Sequence, residues 1–387
     1  MHLPIRDNLI GLEPYEDDVA PECVRLGFNE VGESVPEKVV KEMQNALITT
    51  LPGLNRYPDH SMAKLREVAV RFLNDRFGTD LTIDNLFFAN GATELILQIF
   101  NTFGGPSFNQ EQRTIFSFQP GYIAYLDDAR DSKSNLYRVR LDSNFQIDPD
   151  LTIAEIQKHR PALVLFTNPE NPTGTLTPLS TFRKIIDQTQ EVIVAGTDRV
   201  THPLYISDEA YIEFAENTNA SAIHLLQHYP NLLVLRTLSK SFGLAGLRVG
   251  YIVGSPKVIY PVTIVRQPYS FSNVTQALAT VAFRNSEILM KPIKKIIARR
   301  RELLSWLEGK QYQGYSLKVV PSQTNFCLVG FDPQIPNYLD LPNHVVDFLI
   351  DKDVLVRKVA VPGYFRVSIG TETELSRFKH VFNEFLE

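Results

Sequence analysis

Apolar positions recur along the chain with two alternating periods. Residues 63–78 (AKLREVAVRFLNDRFG) carry an apolar stripe at helical spacing that closes on glycine, which predicts an amphipathic helix. LFFAN (residues 86–90) follows as a short buried strand, and GATELILQIF (91–100) as a helix with Glu94 in its first turn. The runs TIFSF, ALVLF, LYISD, NLLVLRTL and RVGYIVG are further short strands, separated by helical or turn-rich segments. Strands alternating with helices predict an α/β fold with a mostly parallel sheet lying between helices.

After about Asn285 the pattern changes. The charged segment EILMKPIKKIIARRRELLSWLEGK reads as a long helix interrupted at Pro292. The strand-like runs YSLKVV, NFCLVG, VLVR and FRVSIG follow, with helices between and after them, which predicts a smaller α+β domain. The expected division is an N-terminal arm that joins the small domain (1–40), a large domain (41–284) and a small C-terminal domain (285–387). VAGTDRVTHPLY (194–205) reads as a surface loop.

Composition narrows the class. A chain of 387 residues, 44% apolar and 21% charged, has the balance of a globular protein large enough for two domains. A net charge of −5 argues against a nucleic-acid partner, which calls for a basic face. No apolar run approaches bilayer length, so no membrane partner is expected. The opening residues MHLPIRDNLIGLEPYEDD carry neither an apolar h-region nor an Arg-rich amphipathic pattern, so no export signal is expected. Cys23 and Cys327 sit far apart and form no motif, which suits a reduced, cytoplasmic setting.

In α/β sheets, ligands sit beyond the carboxyl ends of the strands, and four distinctive segments fall there. NGATE (90–94) opens a helix, so the backbone N–H groups of Gly91, Ala92 and Thr93 could cradle a phosphate; alone it also reads as an ordinary capped helix start. TNPENPTG (167–174) carries two Asn-Pro steps and a glycine, a turn that can hold Asn171 as a donor. SDEAYIEF (207–214) places Asp208 at a strand end and Tyr211 three residues later; alone, Asp208 reads as a helix cap. RTLSKSFGLAGLRVGY (236–251) sets Lys240 between Ser239 and Ser241, with Arg248 eight residues on. A lysine at the end of a buried strand is costly if charged and unpaired.

Together these are the parts that pyridoxal 5'-phosphate requires. A lysine amine with a depressed pKa condenses with the cofactor aldehyde. A strand-end acid hydrogen-bonds the pyridine nitrogen and holds its proton, so that the ring accepts electrons. Asn171 and Tyr211 steady the ring oxygen. Arg248, Ser239 and the backbone of residues 91–93 balance the phosphate.

With YPD (57–59), PGY (120–122), PSQTNF (321–326) and FRVSIGT (365–371), these motifs resemble the fold-type I aminotransferases, in the same order. The resemblance is strongest to the histidinol-phosphate aminotransferase subgroup and covers about residues 25–387. It implies that Lys240 is the cofactor-binding lysine, Asp208 the partner of the pyridine nitrogen, and Asn171 and Tyr211 the ring-oxygen contacts. It further implies that Tyr122 stacks on the ring face, a residue that the bare sequence would assign to core packing. Tyr57 is similar to a tyrosine that reaches the cofactor phosphate of the partner subunit, which implies a homodimer with shared active sites. Arg366 matches the arginine that grips the substrate α-carboxylate, and Arg357 a second substrate-side arginine. The strap over the substrate usually reads Asn-Glu-Asn-Pro or similar; here FNEVGES (28–34) lacks the proline and contributes Asn29.

The implied reaction moves an amino group between a phosphorylated amine, L-histidinol phosphate, or an amino acid and 2-oxoglutarate. Alternatives are an aromatic or other amino-acid aminotransferase and a phospho-amino-acid decarboxylase on the same fold. A non-enzymatic cofactor-sensing module would be expected to add a DNA-binding domain, for which the segments before Phe28 and after the last helix leave no room. HLLQH (224–228) has the spacing of a zinc pair without an evident third ligand, so no metal is expected and a helix surface fits it better. KKIIARRR (294–301) reads as a solvated helix face.

Overall fold

The structure, a computed structural model, describes residues 3–13, 23–107, 109–197, 199–217 and 219–387. Seven strands build the main sheet: β1 (Leu86–Ala89), β2 (Thr114–Gln119), β3 (Asn135–Arg140), β4 (Leu163–Thr167), β5 (Leu204–Asp208), β6 (Leu232–Thr237) and β7 (Gly250–Gly254). Their spatial order is β1-β7-β6-β5-β4-β2-β3. Strands β6, β5, β4, β2 and β3 pair in parallel, whereas β7 runs antiparallel to both of its neighbours, β6 and β1.

The strands read as continuous apolar runs because helices bury both faces of the sheet. One core layer takes Phe88, Phe116, Phe118, Val164, Phe166, Tyr205, Val234 and Tyr251. The alternate positions Phe87, Ile115, Leu163, Leu165, Ile206, Leu233, Leu235 and Ile252 form the other layer. Burying each such side chain contributes about 1.5–3 kcal/mol. Strand β3 (NLYRVR) had no counterpart in the sequence reading. It is the sheet's outer strand, mostly half-exposed, and so lacks the apolar run that marks the others.

A second, antiparallel sheet has the order β8-β9-β11-β10, from β8 (Lys318–Val320), β9 (Phe326–Gly330), β10 (Arg357–Lys358) and β11 (Tyr364–Ser368). YSLKVV divides between β8 and a small hairpin of Gln311–Tyr312 with Tyr315–Ser316. VLVR divides too, since Val354–Leu355 leaves β10 to pair in parallel with Val24–Arg25. That pairing ties the N-terminal segment to the smaller sheet and brings the strap that follows across the cleft.

Pro292 opens the helix Pro292–Glu308 after a short Ser286–Leu289 turn of helix, so the expected interruption is present. The expectation of a solvated face for residues 294–301 fails in part. Lys294 and Lys295 are exposed, but Arg299 and Arg300 are buried. Arg300 donates to the Phe214 and Thr324 carbonyls (2.8 and 3.0 Å) and to Glu216 (2.9 Å), and Arg299 pairs with Glu33. The helix is wedged where loops of both sheets end, and their carbonyls and carboxylates require the cations.

The surface loop expected over 194–205 is one only in part, since Leu204 and Tyr205 are buried residues of β5, which the chain enters at the end opposite Asp208, on the far edge of the sheet from the catalytic motifs. Within HLLQH only His224 and Leu225 are helical, as the end of the 3-10 turn Ala222–Leu225, and the His224 ring packs edge-on against Phe77 at 5.8 Å. No helix among the described residues is long and apolar enough to cross a membrane.

Candidate active site

Strand register brings the motifs to one edge. Ala89 and Thr237 both pair with Gly250, and Thr167 pairs with Asp208, which pairs with Leu235. The carboxyl ends of β1, β4, β5 and β6 therefore open into one cleft, and β7 begins there.

At the β1 end, the helix Gly91–Phe103 starts with N–H groups that have no intrahelical acceptor. The Glu94 carboxylate accepts from the Asn90 N–H (2.6 Å) and fixes the turn. Gly91 has φ +86°, and a Cβ there would strike the Arg248 guanidinium; one on Gly250 would strike the Gly91 backbone. Two glycines thus allow an arginine, a strand start and a helix N-terminus to converge. Arg248 Nη1 lies 3.1 Å from the Ala245 carbonyl and 3.4 Å from Ser239 Oγ. The Thr237 hydroxyl accepts from the Ser239 N–H (3.1 Å) and donates to the Val249 carbonyl (3.0 Å), which braces the lysine turn. A guanidinium, a hydroxyl and open backbone N–H groups in a cradle with no room for side chains fit a phosphate.

Asp208 is buried, and burial pushes its pKa up to about 6. Tyr125 opposes that shift by donating to Asp208 Oδ2 at 2.8 Å, with the Thr167 hydroxyl 3.0 Å from the phenol; the Ala210 N–H donates to Oδ1 at 3.1 Å. The sequence reading missed Tyr125. It lies three residues after Tyr122 in the helix AYLDDARD, where its spacing from Ala129 signals packing rather than a hydrogen bond. Tyr122 meets it edge-on, with ring centroids 5.4 Å apart.

Lys240 sits across the cleft. Its Nζ donates to the Phe28 carbonyl (2.9 Å) and lies 5.7 Å from the Tyr211 ring centroid. Burial, then the positive charges of Arg366 and Arg248, push the amine down to about 7. Near neutral pH it is therefore substantially unprotonated and nucleophilic.

The strap closes the site. Asn29, with φ 56°, donates through its amide to Tyr211 Oη (3.0 Å) and through its backbone to Ser368 Oγ (2.9 Å). Ser368 returns a bond to Asn29 Oδ1 (3.0 Å), and Asn325 donates to the Asn29 carbonyl (3.0 Å). Arg366 donates to Asn171 Oδ1 (2.6 Å) and to the Gly27 carbonyl (2.9 Å). With its oxygen engaged, the Asn171 side chain offers only its amide N–H groups as donors. Arg357 is the cross-strand partner of Arg366, and its guanidinium lies 5.8 Å from the Phe28 ring centroid. The cleft thus gathers all the expected residues except Tyr57, which is 79% exposed and stacks on Tyr269.

Comparison with known proteins agrees with this geometry. The sequence profile of aminotransferase class I and II matches residues 21–382. The chain is 35% identical to a histidinol-phosphate aminotransferase of Bifidobacterium adolescentis, covering 100% of this chain and 96% of that one. It is 34% identical to one from Thermobifida fusca, covering 97% and 94%. The histidinol-phosphate aminotransferase of Sinorhizobium meliloti, solved with pyridoxal 5'-phosphate, superposes with a TM-score of 0.81 at 22% identity, over 100% of this chain and 99% of that one. Pyridoxal 5'-phosphate is the cofactor, and the chain belongs to the aminotransferase class I and II family.

Proposed function

We propose that the enzyme transfers an amino group from L-histidinol phosphate to 2-oxoglutarate. Lys240, Asp208, Asn171, Tyr211, Tyr122, Ser239, Arg248 and the N–H groups of residues 91–93 hold the cofactor in this reading. Arg357 and Arg366 hold the substrate. The observation that carries the substrate reading is the cross-strand pair Arg357–Arg366. Cross-strand partners lie on the same face of a sheet, so the pair sets two guanidinium groups beside one another. A donor with a phosphate and no α-carboxylate must share its anion site with a dicarboxylate acceptor. Guanidinium forks pair with either group. The names of relatives at 34–35% identity point to the same donor.

Pyridoxal phosphate supplies the electron sink that stabilises charge on the carbon bearing the amine. Every other requirement falls to the chain. Arg248, Ser239 and the helix start neutralise the phosphate. Asp208, ionised at neutral pH and supported by Tyr125, holds the proton on the pyridine nitrogen. Tyr122 covers one ring face, and Asn171 and Tyr211 donate toward the ring oxygen. Lys240, nucleophilic near neutral pH, would hold the cofactor through its amine, and the same amine, when free, would carry the proton from the amine-bearing carbon of the substrate. The strap, anchored by Asn29, excludes water from that transfer.

The arginines provide the test. Arg366→Ala should impair both half-reactions, whereas Arg357→Ala should fall more heavily on one. Losing a charge-assisted bidentate contact costs on the order of 2–5 kcal/mol in transition-state binding. Single-turnover rates with histidinol phosphate and with 2-oxoglutarate measure the two halves separately. Equal, small effects of both variants on both halves would remove the pair from the substrate site.

The proposal extends to a cytoplasmic homodimer. Both cysteines are free thiols, which suits a reducing compartment. Tyr57 and Tyr269 form an exposed aromatic stack on the chain that carries them, as a residue reaching into a partner's site would be.

A further inference from the structure

A cleft of about 720 Å³ lies away from the catalytic edge, between the helix Ala63–Phe77 and the segment that leads from the main sheet to the smaller one. Its floor is apolar: Val68, Phe72, Phe283 and Met290. Its rim carries five cations, Arg71, Arg76, Arg284, Lys291 and Lys294, against two carboxylates, Asp75 and Glu287. The local balance is therefore three positive charges in a chain of net −5. Some surface cations elsewhere pair with carboxylates, as in Lys184–Asp150, Lys318–Asp332 and Lys379–Glu302, while others such as Lys64 and Lys257 do not. Among the described residues, the side chains of Arg71, Arg284, Lys291 and Lys294 make no ion pair.

The size is that of a small-molecule site, and its cations are concentrated on one open concavity. An apolar floor under a cationic rim calls for a ligand with a flat ring and several negative charges. The floor also meets the catalytic loop. Phe72 and Phe283 both pack on Phe242, at 5.7 and 5.6 Å between ring centroids, and Phe242 lies two residues after Lys240. The third side of this aromatic triangle, Phe72 to Phe283, is 5.5 Å.

We propose that this cleft is a second ligand site, for a ring-bearing organic polyphosphate of the nucleotide class, and that its occupancy reaches the Lys240 loop through Phe242. The site stands independently of the histidinol phosphate reading.

The test uses the cofactor-loaded enzyme, so that its phosphate cradle is filled, with ATP, tripolyphosphate and adenosine as separate probes. Calorimetry should show one ATP site per chain, weakened as salt rises. The double variant Arg71→Glu/Lys294→Glu should weaken it by about tenfold or more while turnover without ATP stays that of the wild type. Tripolyphosphate and adenosine alone should each bind more weakly than ATP. In the wild type, ATP should perturb the absorbance of the lysine-bound cofactor, and Phe242→Leu should blunt that change while ATP still binds. Absence of ATP binding at millimolar concentration would overturn the site, as would binding that the double variant leaves intact. Tripolyphosphate binding as tightly as ATP would overturn the role of the aromatic floor. ATP binding without any spectral change would overturn the link through Phe242.

Discussion

Lys240→Ala is expected to lose turnover by on the order of 10⁴-fold or more, because it removes both the nucleophile and the proton carrier. No other described lysine or free amine lies among the side chains gathered at the cleft. The purified variant should lack the absorbance of the lysine-linked cofactor even where it retains the cofactor through the phosphate cradle. Wild-type-like turnover would refute the assignment. The amine's depressed pKa, near 7, adds a pH dependence. Below about pH 7 the amine is protonated in the folded enzyme, so capture of the cofactor by the cofactor-free protein should slow as pH falls through that value. The same variant tests the dimer. Mixed with Tyr57→Phe subunits, it should recover activity, since both lesions then fall in one of two composite sites and leave the other intact. Mixed dimers that form without recovering activity would argue against shared sites.

Asp208→Asn should retain cofactor yet slow proton abstraction by about 10²- to 10³-fold, since a neutral amide cannot hold the pyridine proton. A second readout is independent of activity. In the cofactor-free protein the folded pKa of Asp208, about 6, stands above its unfolded value of 3.8. The folded state then binds more protons between these values, so this group's contribution to stability falls as pH rises from about 4 to 6 and stays low above. Asp208→Asn removes that dependence, and the cofactor-free variant should be more stable than wild type above pH 6. Tyr125→Phe should act in the opposite direction to the phenol's hydrogen bond, raising the Asp208 pKa further and moving the acid limb of activity to higher pH. Unchanged single-turnover rates in Asp208→Asn would make the residue a helix cap and nothing more.

The parts of the fold legible in the sequence were those with a local physical signature. β1, β2, β4, β5, β6 and β7 read as strands because both faces of each are buried, which leaves uninterrupted apolar runs. β3 did not, because an outer strand with polar residues along it has no such run. The site motifs were legible because each sits at a strand end and combines a reactive group with a turn former. What stayed hidden depends on partners far along the chain. Tyr125 gains its role only from Asp208, 83 residues away. Arg300 is buried because the Phe214 and Thr324 carbonyls and Glu216 converge on it from other elements, and a run of basic residues on a helix gives no sign of that. Asn29 is likewise locked by Tyr211, Ser368 and Asn325, which only the folded strap brings together.

The preference of the wild-type enzyme between donors is the measurement closest to the proposed function. Cofactor-loaded enzyme mixed in single turnover with histidinol phosphate, and separately with phenylalanine, reports each donor half-reaction through loss of the lysine-linked cofactor absorbance. With Arg357 and Arg366 set side by side for a dianion, histidinol phosphate should react faster than phenylalanine by at least about 10²-fold, the equivalent of one charge-assisted contact. Phenylalanine reacting much faster than histidinol phosphate would contradict that reading and make the enzyme an aromatic amino-acid aminotransferase.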